Sequence, residues 1–317
     1  MKRYILTFEI VSLLISIITG CGNANIIGSD VKTTTSTTEN ASNKDYTPEE
    51  ASPVSDFEYK ENEEGGITIT KYKGTDKNVV IPDIIDHKTV TIIGRLSFSE
   101  NINILTVKMS YNVTKIEPGA FRYCSELVSI RLSNKLEIID AGAFTACQKL
   151  SDITLPDSLY YIGNKSLSSC KSLKHITIPA NCFGDYQFDT DYYYNPGSEK
   201  GSCFINSGLE SIEIKEGVQF IPECAFSGTS IREINIPSSV TAIRKQAFSN
   251  CSKLEKVTLN DGLDTIDAYS FENTQITALV IPASVKHFGV LSIANANQIS
   301  KLYFEANLRM EASSPWV

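Results

Sequence analysis

The chain repeats one pattern of apolar and polar positions about every 23 residues over most of its length. In each copy, places 1, 4 and 6 are Ile, Leu, Val, Met or Phe, and places 10, 13 and 18 are usually apolar. Successive copies start 22 or 23 residues apart, except across one gap of 36 residues. The copies start at Ile104, Leu127, Leu150, Leu173, Leu209, Ile231, Leu254, Ile276 and Ile299. A fixed period of this length predicts a repeat protein in which each coil stacks on the next.

Places 3 to 6 predict one short strand in each coil. In Ile176-Thr177-Ile178 two apolar residues flank a polar one, which is the alternation of a half-buried strand. Proline at the next place lacks the N–H that would continue the ladder, and four copies have it: Pro156, Pro179, Pro237 and Pro282. The fold class is therefore a β-rich solenoid of about nine coils, with ten short parallel strands when a divergent strand at Val79–Ile81 is included.

The pattern also divides the chain. Residues 57–103 repeat it imperfectly and are expected to form an N-terminal cap and a divergent coil. Residues 104–304 form the regular solenoid, which contains an insertion at 183–202, and residues 305–317 form a tail.

One copy carries a resemblance to a known family. From Ile231 it reads Ile234, Ile236, Pro237, Val240, Ile243, Ala247, Phe248 and Cys251. This pattern resembles the BspA-like leucine-rich repeats of bacterial surface proteins, over roughly residues 57 to 305. The resemblance implies an exported adhesion or interaction module without a catalytic site. The glycine of that pattern, at place 14, survives only as Gly94, Gly163 and Gly289, so this bend does not require a positive φ.

The N-terminus predicts export. Lys2 and Arg3 precede an apolar run from Ile10 to Ile18 that is too short to span a bilayer, so residues 1–20 are expected to form a signal peptide. The sequence ending at Cys21 resembles a bacterial lipobox, which implies that Cys21 is acylated; an uncleaved anchor is the alternative. Residues 21–56 are polar and rich in Ser and Thr, and we interpret them as a disordered tether. We therefore expect an extracytoplasmic, membrane-anchored lipoprotein that contacts the membrane only through this N-terminal lipid.

Composition narrows the choice of partner. The 317 residues are 42% hydrophobic and 21% charged, as in ordinary soluble proteins. The net charge of −8 argues against nucleic acid as a partner.

The outward strand places form one candidate binding surface. Places 3 and 5 lie beside the buried places and are mostly small and polar, with charged residues at Lys108, Arg131, Glu213 and Glu233. They lack the row of aromatic residues that sugar stacking would favour. A protein or glycan ligand is one interpretation of this face, and an ordinary solvated face is the other.

The insertion is the second candidate surface. It contains Tyr186, Tyr192, Tyr193 and Tyr194 together with Gly, Ser and Asn, a composition typical of adaptable binding loops. A loop that only covers its coil is the alternative. Its aspartates do not match the spacing of a calcium-binding EF-hand loop, so no metal site and no cofactor are predicted.

The cysteines have a structural interpretation. Cys124, Cys147, Cys170 and Cys251 share one repeat place and are expected to form a buried ladder of thiols. Cys182 and Cys203 flank the insertion and could form a disulfide, although both also fall at inward places.

No catalytic motif is present: GxSxG, Walker and HExxH sequences are all absent. The sequence therefore predicts a binding or adhesion module of the cell envelope with a protein or glycan ligand, not an enzyme. The alternative is a scaffolding lipoprotein of the envelope without a soluble ligand.

Overall fold

The computed structural model describes residues 50–184, 201–296 and 298–304. Several predictions concern residues outside these ranges: the signal peptide, Cys21, nearly all of the tether, Tyr186, Tyr192, Tyr193, Tyr194 and the tail at 305–317.

The described residues form a 3₁₀ turn at Val54–Asp56 and short strands. The strands are, in chain order, β1 Phe57–Glu61, β2 Ile67–Tyr72, β3 Asn78–Val80, β4 Ile84–Ile85, β5 Lys88–Ile93, β6 Thr106–Lys108, β7 Lys115–Ile116, β8 Ser129–Arg131, β9 Ile138–Ile139, β10 Asp152–Ile153, β11 Tyr161–Ile162, β12 His175–Ile178, β13 Ser211–Ile214, β14 Phe220–Ile221, β15 Glu233–Asn235, β16 Ala242–Ile243, β17 Lys256–Thr258, β18 Thr265–Ile266, β19 Ala278–Ile281, β20 His287–Phe288 and β21 Lys301–Phe304.

The predicted strands at places 3 to 6 are confirmed, and we call them the front strands: β3, β6, β8, β10, β12, β13, β15, β17, β19 and β21. They pair in parallel with equal places opposite each other, as in Thr106↔Ser129 and Lys108↔Arg131. The front strands form three separate ladders, in the orders β10-β8-β6-β3, β12-β13 and β15-β17-β19-β21.

The expectation of one strand per coil is wrong, because most coils contain a second strand at places 12 and 13. These back strands also pair in parallel, from β5 through β7 and β9 to β11, and again from β14 through β16 and β18 to β20. Apart from the six-residue β5, each is only two residues long, so it contains one inward residue and shows no alternation in the sequence. Inward residues of the front and back strands share one hydrophobic core.

An antiparallel hairpin forms the N-terminal end of the back ladder. β1 pairs with β2, and β2 pairs in parallel with β5. Phe57, Ile67 and Ile69 of this hairpin are buried. The hairpin therefore covers the start of the core within the region predicted as the cap.

Aromatic rings at place 18 stack from coil to coil. Phe98, Phe121 and Phe144 form one stack with centroid spacings of 4.7 and 5.3 Å. A second stack contains Phe204, Phe226, Phe248 and Phe271 with spacings of 5.4, 5.5 and 5.5 Å. The residue between the two stacks is Leu167, which is also fully buried.

The turns around place 18 use left-handed backbone conformations, mostly without glycine. The residues two before and two after Phe248, Gln246 and Asn250, have φ values of 56° and 60°. By contrast, Gly163 and the other glycines at place 14 have no positive φ, as the sequence predicted. Glycine is needed at Gly163 for a different reason: an added Cβ would lie 2.5 Å from Ala141 N and 2.6 Å from Asp140 C.

Gly163→Ala is therefore expected to destabilise the protein by about 1–3 kcal/mol, because the new methyl group would overlap backbone that cannot move independently. Thermal and urea denaturation measure the change. Thr154→Ala, at an exposed outward place of the same coil, is the control and should cost no more than about 0.5 kcal/mol. Equal losses for the two variants would contradict the close approach at Gly163.

Candidate functional site

The outward places of the front strands form one surface, which we call the front face. None of the residues at places 3 and 5 of the ten front strands is buried. Arg131, Glu213 and Glu233 are exposed and Lys108 is partly exposed. Lys108 and Arg131 are paired neighbours on β6 and β8, whereas Glu213 and Glu233 lie on β13 and β15, so the structure places the predicted residues in two groups.

A hydrogen-bonded polar group occupies the middle of the front face. His175 Nδ1 lies 2.8 Å from Ser211 Oγ, and Thr177 Oγ1 donates to Glu213 Oε2 at 3.1 Å. These contacts arise because β12 and β13 pair His175 with Ser211 and Thr177 with Glu213. Sequence reasoning missed this group because the two strands are 36 residues apart in the chain; their equal repeat places were the available signal.

Two carboxylates beside the front face are held in the ionised form. Lys174 Nζ donates to Glu210 Oε1 at 2.7 Å, and this hydrogen bond and charge lower the pKa of Glu210. The backbone N–H of Ser238 donates to Glu216 Oε1 at 3.0 Å and lowers the pKa of Glu216. Any ligand of this region of the front face therefore meets fixed negative charges as well as lysines.

The front face becomes more apolar toward β21. Val280 and Tyr303, which pair in register, are 45% and 49% exposed. Ala278 pairs with Lys301 beside them. An exposed aromatic ring beside an aliphatic side chain and a lysine is a combination that protein interfaces favour.

The insertion leaves the solenoid beside the back strand β11, and the described chain resumes in the turns near place 18. Phe183 forms an isolated antiparallel bridge with Tyr161 of β11, and Gly184 N donates to Tyr160 O at 2.9 Å. In the described residues the back ladder is interrupted between β11 and β14, where this coil would supply its own strand. The turns at place 18 continue past the insertion, because Leu167 N donates to Cys203 O at 2.8 Å. The described start of the insertion therefore lies beside the back strands and away from the front face.

The cysteines at the shared place form the expected buried ladder. Cys124, Cys147, Cys170 and Cys251 are free and buried. Each Sγ donates to the carbonyl oxygen of the place 18 residue in the preceding coil, at 3.0 to 3.2 Å. Burial raises the pKa of Cys124 and of Cys170 to about 12. These thiols are therefore neutral groups that pack in the core and also donate weak hydrogen bonds. The sequence predicted the buried ladder but not these hydrogen bonds.

Cys182 and Cys203 are likewise free and fully buried. Burial raises the pKa of Cys182 well above its usual range, and the neighbouring Cys203 raises it further. Burial raises the pKa of Cys203 to about 12. The structure thus holds both residues as thiols at inward places, and mass mapping of the non-reduced protein distinguishes this state from a disulfide.

The described ranges 50–184, 201–296 and 298–304 contain neither a cluster of metal ligands nor a membrane-spanning helix. Within them, no group of three or more His, Cys, Asp or Glu residues is arranged to hold a metal ion. No helix in the same ranges has the length and apolar character that a membrane crossing needs.

Asp140 is a buried carboxyl group at place 14 of the second regular coil, where the family pattern has glycine. It is 4% exposed, and Asp140 Oδ1 accepts a hydrogen bond from Ala141 N at 2.7 Å. Burial raises its pKa, and this effect outweighs the opposite effects of the backbone hydrogen bond and of Lys115.

Asp140→Asn is expected to stabilise the protein at neutral pH. Because the folded-state pKa is raised, the folded protein bears a cost for the ionised carboxylate above that pKa, and the cost disappears as the pH falls toward the unfolded value of 3.8. The free energy of unfolding of the two proteins should therefore converge as the pH is lowered. Asp267→Asn, at the same place but only partly buried, is the control. A stability difference that does not change with pH would contradict the assignment.

The stacked coils, in-register parallel strands and repeated apolar places define a leucine-rich-repeat solenoid. The sequence pattern of the BspA type leucine-rich-repeat region matches residues 75–194 and 200–312, in six copies. The chain therefore belongs to the BspA-type leucine-rich-repeat family, as the resemblance predicted. No curated protein matches the chain.

A solved structure of a bacterial cell surface protein supports the fold. The chain is similar to a leucine-rich cell surface protein of Faecalibacterium prausnitzii, with 21% identity, a TM-score of 0.55, and coverage of 82% of this chain and 78% of that one. It is also similar to a leucine-rich-repeat protein of T. pallidum, with 21% identity, a TM-score of 0.49, and coverage of 79% and 91%.

Proposed function

We propose that this protein is a non-catalytic binding module that holds a protein or glycan ligand on its front face at the cell surface. The observation that carries the proposal is the outward side of the ten front strands, on which no residue at places 3 and 5 is buried. Parallel in-register strands fix the spacing of these side chains, and solenoids commonly use such extended surfaces for binding.

Several features support a protein ligand within this class. The front face offers both charge signs, at Lys108 and Arg131 and at Glu213 and Glu233, and an exposed apolar pair, Val280 and Tyr303. A complementary protein surface can match such a pattern and gain specificity from it. The insertion tyrosines are a second proposed contact. A metal ion, a cofactor and nucleic acid are not part of the proposal.

The proposed location rests on the N-terminal sequence and the family. The signal peptide and lipobox at residues 1–21 support export and acylation at Cys21. A similar protein, from F. prausnitzii, is described as a cell surface protein. Cys21→Ala should move the protein from the membrane fraction to the soluble fraction; retention in the membrane would instead support an uncleaved anchor.

The chemistry of the described residues supports a non-catalytic role. The His175–Ser211 pair lies on an exposed strand surface, and the cysteines at the shared ladder place are buried. A catalytic nucleophile normally needs an activated thiolate or a hydroxyl in an enclosed site. Saturable hydrolysis or group transfer by the purified protein would overturn this part of the proposal.

Binding of the full chain to arrays of extracellular proteins and glycans tests the proposal. The variant Arg131→Glu/Glu213→Lys keeps the net charge and should lose most binding. The matched control, Asp264→Lys/Lys286→Glu, reverses an ion pair of 2.6 Å on the back side and should bind like the wild type. Equal ligand binding by both variants would show that Arg131 and Glu213 do not take part in recognition. Absence of any binding to either array would favour the scaffolding lipoprotein.

A further inference from the structure

The charges at the outward places of the front strands reverse their sign about one point of the stack. Lys108 and Arg131 lie on β6 and β8. Glu213 and Glu233 lie on β13 and β15, and only β10 and β12 separate the two groups in the order of front strands. A twofold axis parallel to the strands, between β10 and β12, therefore exchanges β8 with β13 and β6 with β15. A second copy placed face to face by this axis opposes the basic group to the acidic group.

This axis keeps each residue at its repeat place, so equal places face each other. Arg131 and Glu213 are both at place 5 and face each other directly. At the centre, Asp152 of β10 and His175 of β12 are both at place 3, so a carboxylate faces an imidazole. Lys108 faces β15, where Glu233 occupies the adjacent outward place. Each charge near the axis thus meets an opposite charge or a hydrogen-bonding group.

Neighbouring axes do not give this match. With the axis on β12, the strand of Lys108 faces the strand of Lys256, and the strand of Asp152 faces the strand of Glu213. With the axis on β10, Asp152 faces its own symmetry copy. The complementarity is therefore specific to one arrangement.

We propose that the protein ligand of the front face is a second copy of this chain, bound face to face about the axis between β10 and β12. The inference rests on the proposed function, because it names the ligand of the same face. A twofold contact requires a surface that is complementary to itself, which a contact with an unrelated protein does not. The reversal of charge about one axis is that property.

The expected contact is small. The eight strands from β3 to β17 extend about 34 Å at about 4.8 Å per strand, and four strand residues extend about 13 Å. The contact therefore covers roughly 400 Å² per copy, against about 800 Å² in a stable interface. We expect weak association of free chains and stronger association between surfaces that carry many copies.

Sedimentation equilibrium of the purified full chain, at concentrations up to the millimolar range, tests the inference. The wild type should show a reversible equilibrium of monomer and dimer. Arg131→Glu and Glu213→Lys should each weaken it at least about tenfold. Glu213→Lys makes the net charge of −8 less negative, so general charge repulsion predicts the opposite change for this variant. Lys286→Glu, on the back side, is the control for a charge reversal outside the contact. A wild type that remains monomeric would overturn the inference.

Mixing the two single variants gives the sharpest result. In the mixed dimer the new carboxylate of one variant faces the new lysine of the other, and the native pair of Arg131 and Glu213 forms across the axis. The mixture should therefore regain the wild-type dissociation constant. The double variant Arg131→Glu/Glu213→Lys should associate with itself but not with the wild type. A mixture as weak as its components would overturn the inference.

The array experiment separates this inference from the proposed function. If the wild type remains monomeric but binds another protein or a glycan through Arg131 and Glu213, the second copy is not the ligand and the proposed function stands. If the chain dimerises equally well with both single variants, the contact lies outside the front face and the inference fails.

Discussion

Ile234→Asp should destabilise the protein by more than about 4 kcal/mol, because an ionised carboxylate would be placed in the core without a partner. Ile234 is 3% exposed at the inward place 4 of β15. Ile212, at the same place in the preceding coil, is only partly buried, so Ile234 is the sharper test. Total stabilities of single domains are about 5–15 kcal/mol, so much of the cooperative unfolding transition should be lost at moderate temperature.

Thr258→Asp is the control, because it introduces the same charge on the neighbouring front strand at an exposed outward place. It should lie within about 0.5 kcal/mol of the wild type. Urea denaturation followed by circular dichroism measures both variants. A similar loss of unfolding free energy in the two variants would show that the inward and outward places of the front strands are assigned incorrectly.

Phe248→Ala is the second large effect, and we expect a loss of about 3–5 kcal/mol. The Phe248 ring is fully buried and stacks on both Phe226 and Phe271 at 5.5 Å. Its removal leaves a cavity in the middle of the stack and also removes two aromatic contacts. Thermal denaturation measures the change.

Phe248→Leu provides the matched control, because Leu167 occupies the same place and is fully buried in its own coil. A leucine there should retain most of the packing, at a cost below about 1.5 kcal/mol if the neighbours adjust. If the leucine variant were as unstable as the alanine variant, ring stacking and not filled volume would dominate at place 18.

The front strands could be predicted because their apolar places alternate over four residues and proline often follows. The back strands could not, because a two-residue strand such as Ile138–Ile139 has no alternation to detect. The left-handed turns could not be predicted from the sequence either. Tyr123, Ala146 and Lys165 adopt φ values near 60° without glycine, so no residue type marked them. Hydrogen bonds between neighbouring coils, such as Tyr123 N to Thr145 O at 2.8 Å, hold this backbone.

The sequence predicted individual residues of the candidate site but not the contacts between them. The outward places of Arg131, Glu213 and Glu233 follow from the repeat, and the structure confirms that these side chains are exposed. The contact of Thr177 with Glu213 required the pairing of two strands across the insertion, which the sequence leaves open. The side of the solenoid from which the insertion leaves also required the back strands, because Phe183 bridges to Tyr161 of β11.

Affinity measured for the first ligand identified, across three proteins, tests the central claim most directly. The proteins are the wild type, Arg131→Glu/Glu213→Lys, and a variant in which a short Gly-Ser turn replaces residues 186–199. Recognition by the front face predicts that the double variant loses at least about tenfold in affinity, or about 1.4 kcal/mol, while the shortened loop keeps most of the binding. Wild-type affinity in the double variant, together with loss of binding in the shortened loop, would contradict the claim and assign recognition to the insertion tyrosines.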